Sequence, residues 1–379
     1  MSNWREILES QLDGGYSELS VDEAADIYSN APLDELMFVA SQRRKSQIPG
    51  KAVTYLIDRN INYTNVCTIN CHFCSFYRTP GHNESYTQTV DQISERIVEL
   101  ERIGGSRILM QGGVNPSLPI EWYTDLLQEL SIRHPTISLD CFSPIEIEGI
   151  SEVSGLSTRD VLSLFRDSGM HGLPGGGAEM LVDTVRSGIS PRKGSSDNWL
   201  RVMSEAQSLG LITSATNVFG FGESHYDRVE HMDKIRNLQN YSASQGYPGF
   251  TSFISWPVML ENNALGKLAR RRDPTGIGAG AVEYLRHVAV SRIFLNNIDH
   301  IQASWPTMGI EIAQIALSAG ADDIGSTMME ENVVSASGTK KTLASVEELR
   351  GAILQSGHVP ALRDSAYNIL EEDDLAVIH

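Results

Sequence analysis

Three of the chain's four cysteines fall in one short run, Asn65-Val66-Cys67-Thr68-Ile69-Asn70-Cys71-His72-Phe73-Cys74, spaced C-x3-C-x2-C. Three thiolates from one loop can each bind one iron of a [4Fe–4S] cube, leaving the fourth iron open to an outside ligand. Zinc is the alternative, but a structural zinc site wants four closed ligands, usually as two short pairs. The remaining thiol, Cys141, lies about 70 positions away. His72, within the loop, is as readily solvent-facing as ligating. Three crowded thiols in 379 residues are no disulfide framework.

The other residues suited to chemistry sit at the ends of short β-rich runs. Eight such runs are predicted: 53–66, 106–111, 136–142, 170–173, 211–219, 250–256, 291–303 and 321–325. The cysteine run follows the first, and Gln111-Gly112-Gly113 closes the second. Phe142-Ser143-Pro144, Pro174–Glu179, Gly220–Glu223, Trp256-Pro257, Gln302–Trp305 and Ser326–Asn332 close the rest in turn.

Amphipathic helices lie between these runs. Over 91–103, Ile93, Ile97, Leu100 and Ile103 form one apolar stripe that stops at Gly104-Gly105. A helix, a glycine stop and an immediate strand recur at Gly169, Gly210 and Gly320, the junction of a parallel sheet. Eight such units predict an α/β fold, a (β/α)8 TIM-type barrel over 51–335 with its chemistry at the strands' C-terminal ends. Residues 1–50 predict a helical extension, with a capping box at Ser20 and Glu23 and a second helix after Pro32. Residues 336–379 predict a second helical extension. A doubly wound dinucleotide fold competes, but Gly276-Ile277-Gly278-Ala279-Gly280 follows no strand and reads as a loop.

With 48 acidic and 30 basic residues, the formal charge is −18. Such a surface repels nucleic acid and anionic membranes, so neither is an expected partner. An apolar fraction of 41% suits an ordinary globular enzyme with a sizeable core. No apolar run is long enough for a membrane helix, and Met1–Glu9 lacks the regions of a signal peptide. The expectation is a cytoplasmic protein.

The C-x3-C-x-aromatic-C run at the end of a first strand resembles the radical S-adenosylmethionine superfamily. Asn62–Cys67, Ser75–Arg78, Pro174–Glu179, Ile301–Trp305 and Gly325–Val334 resemble its menaquinone and deazaflavin group. Gln111–Gly113, Leu118–Tyr123 and Gly325–Asn332 are most similar to the cyclic dehypoxanthinyl futalosine synthase family, and the likeness spans about residues 20–370. It implies that Cys67, Cys71 and Cys74 ligate a [4Fe–4S] cluster whose open iron takes the methionine end of S-adenosylmethionine, yielding a 5′-deoxyadenosyl radical. By the same resemblance Phe73 lies near the adenine, Gln111, Gly112 and Gly113 meet the methionine amino group, and Ser143 and Glu179 contact the cofactor. A glycine pair suits its task independently, because it admits close backbone approach. Glu179 can equally be a first-turn glutamate favoured by a helix dipole. The implied reaction is intramolecular C–C bond formation on a nucleoside-like substrate, dehypoxanthinyl futalosine. The implied electron donor is a flavodoxin or ferredoxin.

The chain departs from that family in the expected pocket. Ser138-Leu139-Asp140-Cys141-Phe142-Ser143-Pro144 stands where a His-x-His is usual, and Val114-Asn115-Pro116 where Leu-His-Pro is frequent. Phe219–Glu223 and Ser304–Met308 depart as well. Imidazoles in such a mouth serve proton transfer or substrate hydrogen bonds. Either they are dispensable for cyclisation, or the chain acts on another nucleoside-like substrate in natural-product assembly. Asp140 and Glu223 are the catalytic candidates, as base or substrate contact. Their bland readings are a buried aspartate bonded to its surroundings and a helix cap. Of the adjacent pair Glu330 and Glu331 only one can face inward if the segment is extended. Cys141 reads as a packing residue. The basic run Lys267–Arg272 reads as a solvated loop or a carboxylate clamp. A zinc or iron–sulfur scaffold without enzymatic activity is the rival from another class, and it would produce no deoxyadenosine.

Overall fold

The computed structural model describes residues 3–12, 17–271, 276–339 and 341–372. The eight expected barrel strands are present and parallel, with the first broken in two. They are β1 (Ala52–Leu56) with β2 (Asp58–Ile61), β3 (Arg107–Met110), β4 (Ser138–Cys141), β5 (Gly172–Leu173), β6 (Ile212–Phe219), β7 (Phe250–Pro257), β8 (His300–Gln302) and β9 (Asp323–Ser326). Neighbours pair in chain order from β2 to β9. The ring closes through the broken strand. Leu56 partners Ser326 and Arg59 bridges Met329 on one side, while Asp58–Ile61 runs in register with Arg107–Met110 on the other.

Local signals explain most of the elements. The helix Val90–Glu101 buries Ile93, Ile97 and Leu100 and starts at a capping box in which Thr89 and Gln92 exchange hydrogen bonds. At the N-terminus, Ser20 and Glu23 form the expected capping box of the helix Val21–Asn30, and a second helix, Leu33–Gln47, follows Pro32. Gly169 has φ +109°, and a Cβ there would lie 2.6 Å from that of Ser131, so the helix-to-strand stop needs glycine for conformation and for space.

Two expectations fail. Residues 281–294 are a helix whose last four residues, 291–294, fall in the strand expected over 291–303, and the strand is only His300–Gln302. Residues 287–294 of that helix are all buried, so it shows no one-sided stripe and its apolar run imitates a buried strand. The C-terminal extension begins with a helix, Val346–Gln355, but ends in strands β10 (Val359–Arg363) and β11 (Ile369–Glu372). β10 adds to the sheet in parallel beside β1, and β11 pairs antiparallel with it.

The segment after β10 closes the barrel from below. Arg363 Nε donates to Asp323 Oδ2 at 2.5 Å, its guanidinium stacks 3.8 Å from the Tyr367 ring centre, and Tyr367 stacks on His300 at 4.1 Å. Ser365 Oγ donates to Asp140 Oδ2 at 2.5 Å. Buried Arg363 and Asp323 pair and are further hydrogen-bonded, which offsets the cost of taking charge into the interior. Among the described residues, no helix is long and apolar enough to cross a membrane.

Candidate active site

The cysteine loop leaves the top of β2 and is fastened by main-chain bonds. Cys67 N donates to Arg78 O at 2.9 Å and His72 N to Ile189 O at 2.9 Å. Burial pushes the Cys67 thiol up, while the amides of Ile69 and Val114 donate to its sulfur and pull the other way. Cys74 is pushed up to about 11 by burial, with the amides of Tyr77 and Phe76 opposing. Amides aimed at sulfur are what a metal-bound thiolate needs around it. Among the described residues, no three His, Cys, Asp or Glu side chains converge on one point as a zinc ion requires. Ligands to three separate irons need not converge, so three crowded thiols, two of them lined by amides, suit a cluster better than a single zinc ion. Cys141 is fully buried in the core, away from the loop.

Gly112 and Gly113 lie against this loop. A Cβ on Gly113 would stand 2.5 Å from Val66 O and 2.6 Å from Cys67 Cβ, and one on Gly112 would stand 2.8 Å from the Tyr63 ring. The glycine pair therefore seats the cysteine loop on the end of β3. Gln111 spans the strand ends, donating from Nε2 to Phe142 O at 3.1 Å. Below it lies a residue the sequence did not single out. The fully buried Glu146 accepts from Gly112 N at 2.9 Å, Tyr63 OH at 2.7 Å and Ser143 Oγ at 2.6 Å. Burial pushes its carboxyl up, against those three donors. The Ser143 hydroxyl is thus engaged in capping its helix.

Glu179 is the centre of a second buried cluster. It takes the left-handed conformation at φ +41° and accepts from Lys193 Nζ at 2.6 Å, and Arg186 Nη1 stands 4.0 Å from its other oxygen. Lys193 also lies 5.2 Å from the Phe73 ring centre, and Phe73 packs on Phe221 at 5.5 Å. Burial works against the Lys193 ammonium, yet Cys71 and Glu179 outweigh it and its pKa stands above the ordinary value. Two atoms of the cluster, Glu179 Oε2 and Arg186 Nη2, are buried with no hydrogen-bond partner. An unpaired carboxylate oxygen and an unpaired guanidinium nitrogen beside the cysteine loop suit a ligand carrying both donors and acceptors. S-Adenosylmethionine is such a ligand. Arg186 and Lys193 carry no motif, and only the closed fold shows them buried beside Glu179.

A cavity of about 220 Å³ runs through the barrel from Arg107, Asp140 and Tyr367 at the floor to Gln111, Trp256 and Met328 at the mouth. Asp140 faces it from below, with its oxygens engaged by Ser138 and Ser365 and Arg107 Nη1 3.7 Å away. Glu223 does not line it. Its fully buried carboxylate accepts from Gly220 N at 2.7 Å, Phe221 N at 2.6 Å and Arg228 Nε at 2.6 Å, which holds the turn after β6. Glu331 borders the cavity but bonds Asn60 and the amides of Val333 and Val334, while Glu330 turns outward to Arg59 and Arg96. No histidine is among the described cavity-lining residues.

Residues 61–235 match the Radical SAM superfamily, and residues 247–375 match the CofH/MqnC C-terminal region. A protein of Halalkalibacterium halodurans named cyclic dehypoxanthine futalosine synthase is 39% identical over 96% of this chain and 94% of its own. The chain belongs to the radical SAM superfamily. A second relative, from Methanococcus maripaludis, is 33% identical over 93% of this chain and 98% of its own. It is named 5-amino-6-(D-ribitylamino)uracil–L-tyrosine 4-hydroxyphenyl transferase. The crystal structure of methylornithine synthase shares the fold, with a TM-score of 0.70 at 15% identity over 95% of this chain and 98% of that one. This radical SAM chain is an enzyme that uses a [4Fe–4S] cluster and S-adenosylmethionine. The zinc and scaffold readings fall with that membership.

Proposed function

We propose that the chain closes a ring in dehypoxanthine futalosine by intramolecular C–C bond formation, a step toward menaquinone. The carrying observation is similarity over almost the whole chain to a relative of that name, including the C-terminal region that completes the cavity floor. In this reading Cys67, Cys71 and Cys74 hold the cluster, and Gln111–Gly113, Glu179 and Phe73 surround the cofactor. Held there, the cluster and cofactor would supply the one-electron chemistry that hydrogen abstraction from the substrate's ribose needs.

The barrel holds the ribose toward the cysteine loop and the aromatic part deeper in the cavity. Trp256, Leu109 and Ile254 form its apolar wall and keep out water. Asp140, Ser365 and Tyr367 meet the far end of the substrate. Glu223 acts through Phe221 and Phe73, by fixing the turn that carries Phe221. Ring closure followed by loss of one proton to water and of one electron, for which the oxidised cluster would be the acceptor, leaves a product two hydrogens lighter than the substrate.

A second reading keeps the radical chemistry and changes the nucleoside-like substrate. It is favoured by the cavity lining, whose described residues include none of the histidines usual in the family, and by the relative named as a tyrosine hydroxyphenyl transferase. One assay separates the two. Reconstituted protein is mixed anaerobically with dithionite, S-adenosylmethionine and dehypoxanthine futalosine, then analysed by mass spectrometry. A product lacking two hydrogens, with deoxyadenosine, supports the cyclase. Deoxyadenosine beside unchanged substrate sinks it and favours another nucleoside. Without deoxyadenosine in Cys71→Ala, the cleavage depends on the cysteine loop.

A further inference from the structure

Lys267 and Arg270 do not line the barrel cavity, and the end of the basic run, Arg272, lies outside the described residues. The structure places its start on the cysteine loop. Leu265 N, in the first turn of the helix Ala264–Arg271, donates to His72 O at 2.9 Å. Asn263 Nδ2 donates to Phe73 O at 3.0 Å, and Ser75 Oγ to Glu261 O at 3.1 Å. Exposed Lys267 borders a solvent-facing opening together with Cys71 and Cys74, and exposed Arg270 follows one turn later. From another element, exposed Arg192 donates from Nη1 to Thr68 O at 3.1 Å. Nearby acids are turned elsewhere: Glu84 pairs with Arg78 at 2.7 Å, and the Glu261 carboxylate packs against Gly338.

Cations therefore bracket the cysteine loop of a chain whose formal charge is −18. An acidic protein is repelled by such a surface at long range and attracted locally where cations cluster, as they do at this rim. We propose that Arg192, Lys267 and Arg270 form the docking surface for a small acidic flavodoxin-type carrier, which passes one electron to the cluster through the opening at Cys71 and Cys74. The carrier is oxidised by one electron, the cluster is reduced by one, and no bond changes. Substrate and electron then use separate openings, since the two share no lining residue among the described residues. The inference rests on the radical SAM membership of the chain and is independent of the nucleoside it acts on.

The test follows bleaching of the reconstituted cluster by a purified, fully reduced acidic flavodoxin in stopped flow. For the unaltered protein the second-order rate constant should fall roughly tenfold between about 50 and about 500 mM salt. The double variant Lys267→Glu with Arg270→Glu should lose roughly tenfold at low salt and most of the salt dependence. Arg192→Glu should do the same, and Arg102→Glu, exposed at the end of the helix Val90–Glu101, should not. Reduction by the methyl viologen radical cation should not slow in any variant. An unchanged flavodoxin rate in the double variant overturns the proposal, and so does an equal loss with viologen, which would mean that the cations only support the loop. Cofactor cleavage by dithionite-reduced protein, measured in parallel, tests the family chemistry separately from docking.

Discussion

Lys193 donates to Glu179 at 2.6 Å inside the protein, with its ammonium 5.2 Å from the ring centre of Phe73. The pair joins a loop glutamate, a buried cation and the aromatic residue of the cysteine run in one cluster. Removing the ammonium leaves a buried carboxylate without its main partner, which is costly. Lys193→Met should raise the dissociation constant for S-adenosylmethionine roughly tenfold or more, and Lys193→Arg should recover part of it. Equilibrium dialysis with an iron assay checks this. Normal affinity in the methionine variant would remove Lys193 from the cofactor site.

Gly113→Ala tests the seating of the cysteine loop. The added methyl meets Val66 O and Cys67 Cβ, both part of the loop, so the loop must move. Cluster content after reconstitution should fall well below that of the unaltered protein, while far-ultraviolet circular dichroism stays the same. Cys141→Ala, by contrast, should retain full iron and lose about 1 kcal/mol or a little more of stability from its small core cavity. Loss of iron in that variant would make Cys141 a ligand.

At the floor, Ser365→Ala takes one hydroxyl from Asp140 without touching the cysteine loop. A lost hydrogen bond of about 1 kcal/mol corresponds to a roughly fivefold change in binding. The expected result is a KM for the nucleoside raised by about that factor, with substrate-free cleavage of S-adenosylmethionine unaltered. Equal damage to both activities would show the floor acting on the whole barrel rather than on the substrate.

His231 makes stability depend on pH. Burial holds its pKa down at about 3, and its Nδ1 accepts from Leu181 N at 2.9 Å, so the folded protein holds it neutral. The unfolded chain binds the proton at the ordinary histidine value, about 6.5. The unfolded state therefore carries more protons below that value, and stability falls as pH drops from about 6.5 toward 3. Each unit of that separation contributes about 1.4 kcal/mol. Thermal melts should show a midpoint declining through this window. His231→Gln should be less stable at neutral pH with a shallower decline, and an unchanged decline would assign it to other groups.

Local order was legible in the sequence because its causes are local. The cysteine spacing, the Ser20 and Glu23 capping box, the apolar stripe of Ile93, Ile97 and Leu100 and the glycine stops each depend on residues within about two helical turns. Eight β-rich runs alternating with helical patterns, four of them entered through a glycine stop, pointed to the barrel and therefore to which loops share its active face. The overlap of residues 291–294 with an expected strand arose because burial on every side of 287–294 erases periodicity.

Tertiary structure alone decided the rest. Ser365 reaches Asp140 across 225 positions, Lys193 meets Glu179 and Phe73, and Glu223 spends its carboxylate on a turn. No propensity or spacing encodes such meetings, since they exist only once the ring of strands has closed and the segment after β10 has sealed its floor. The sequence determined by itself which chemistry the chain carries. Closure of the barrel decided which of its charged side chains face the cavity and which are held in place as structure, because a buried charge must find its partners among whatever the fold brings near.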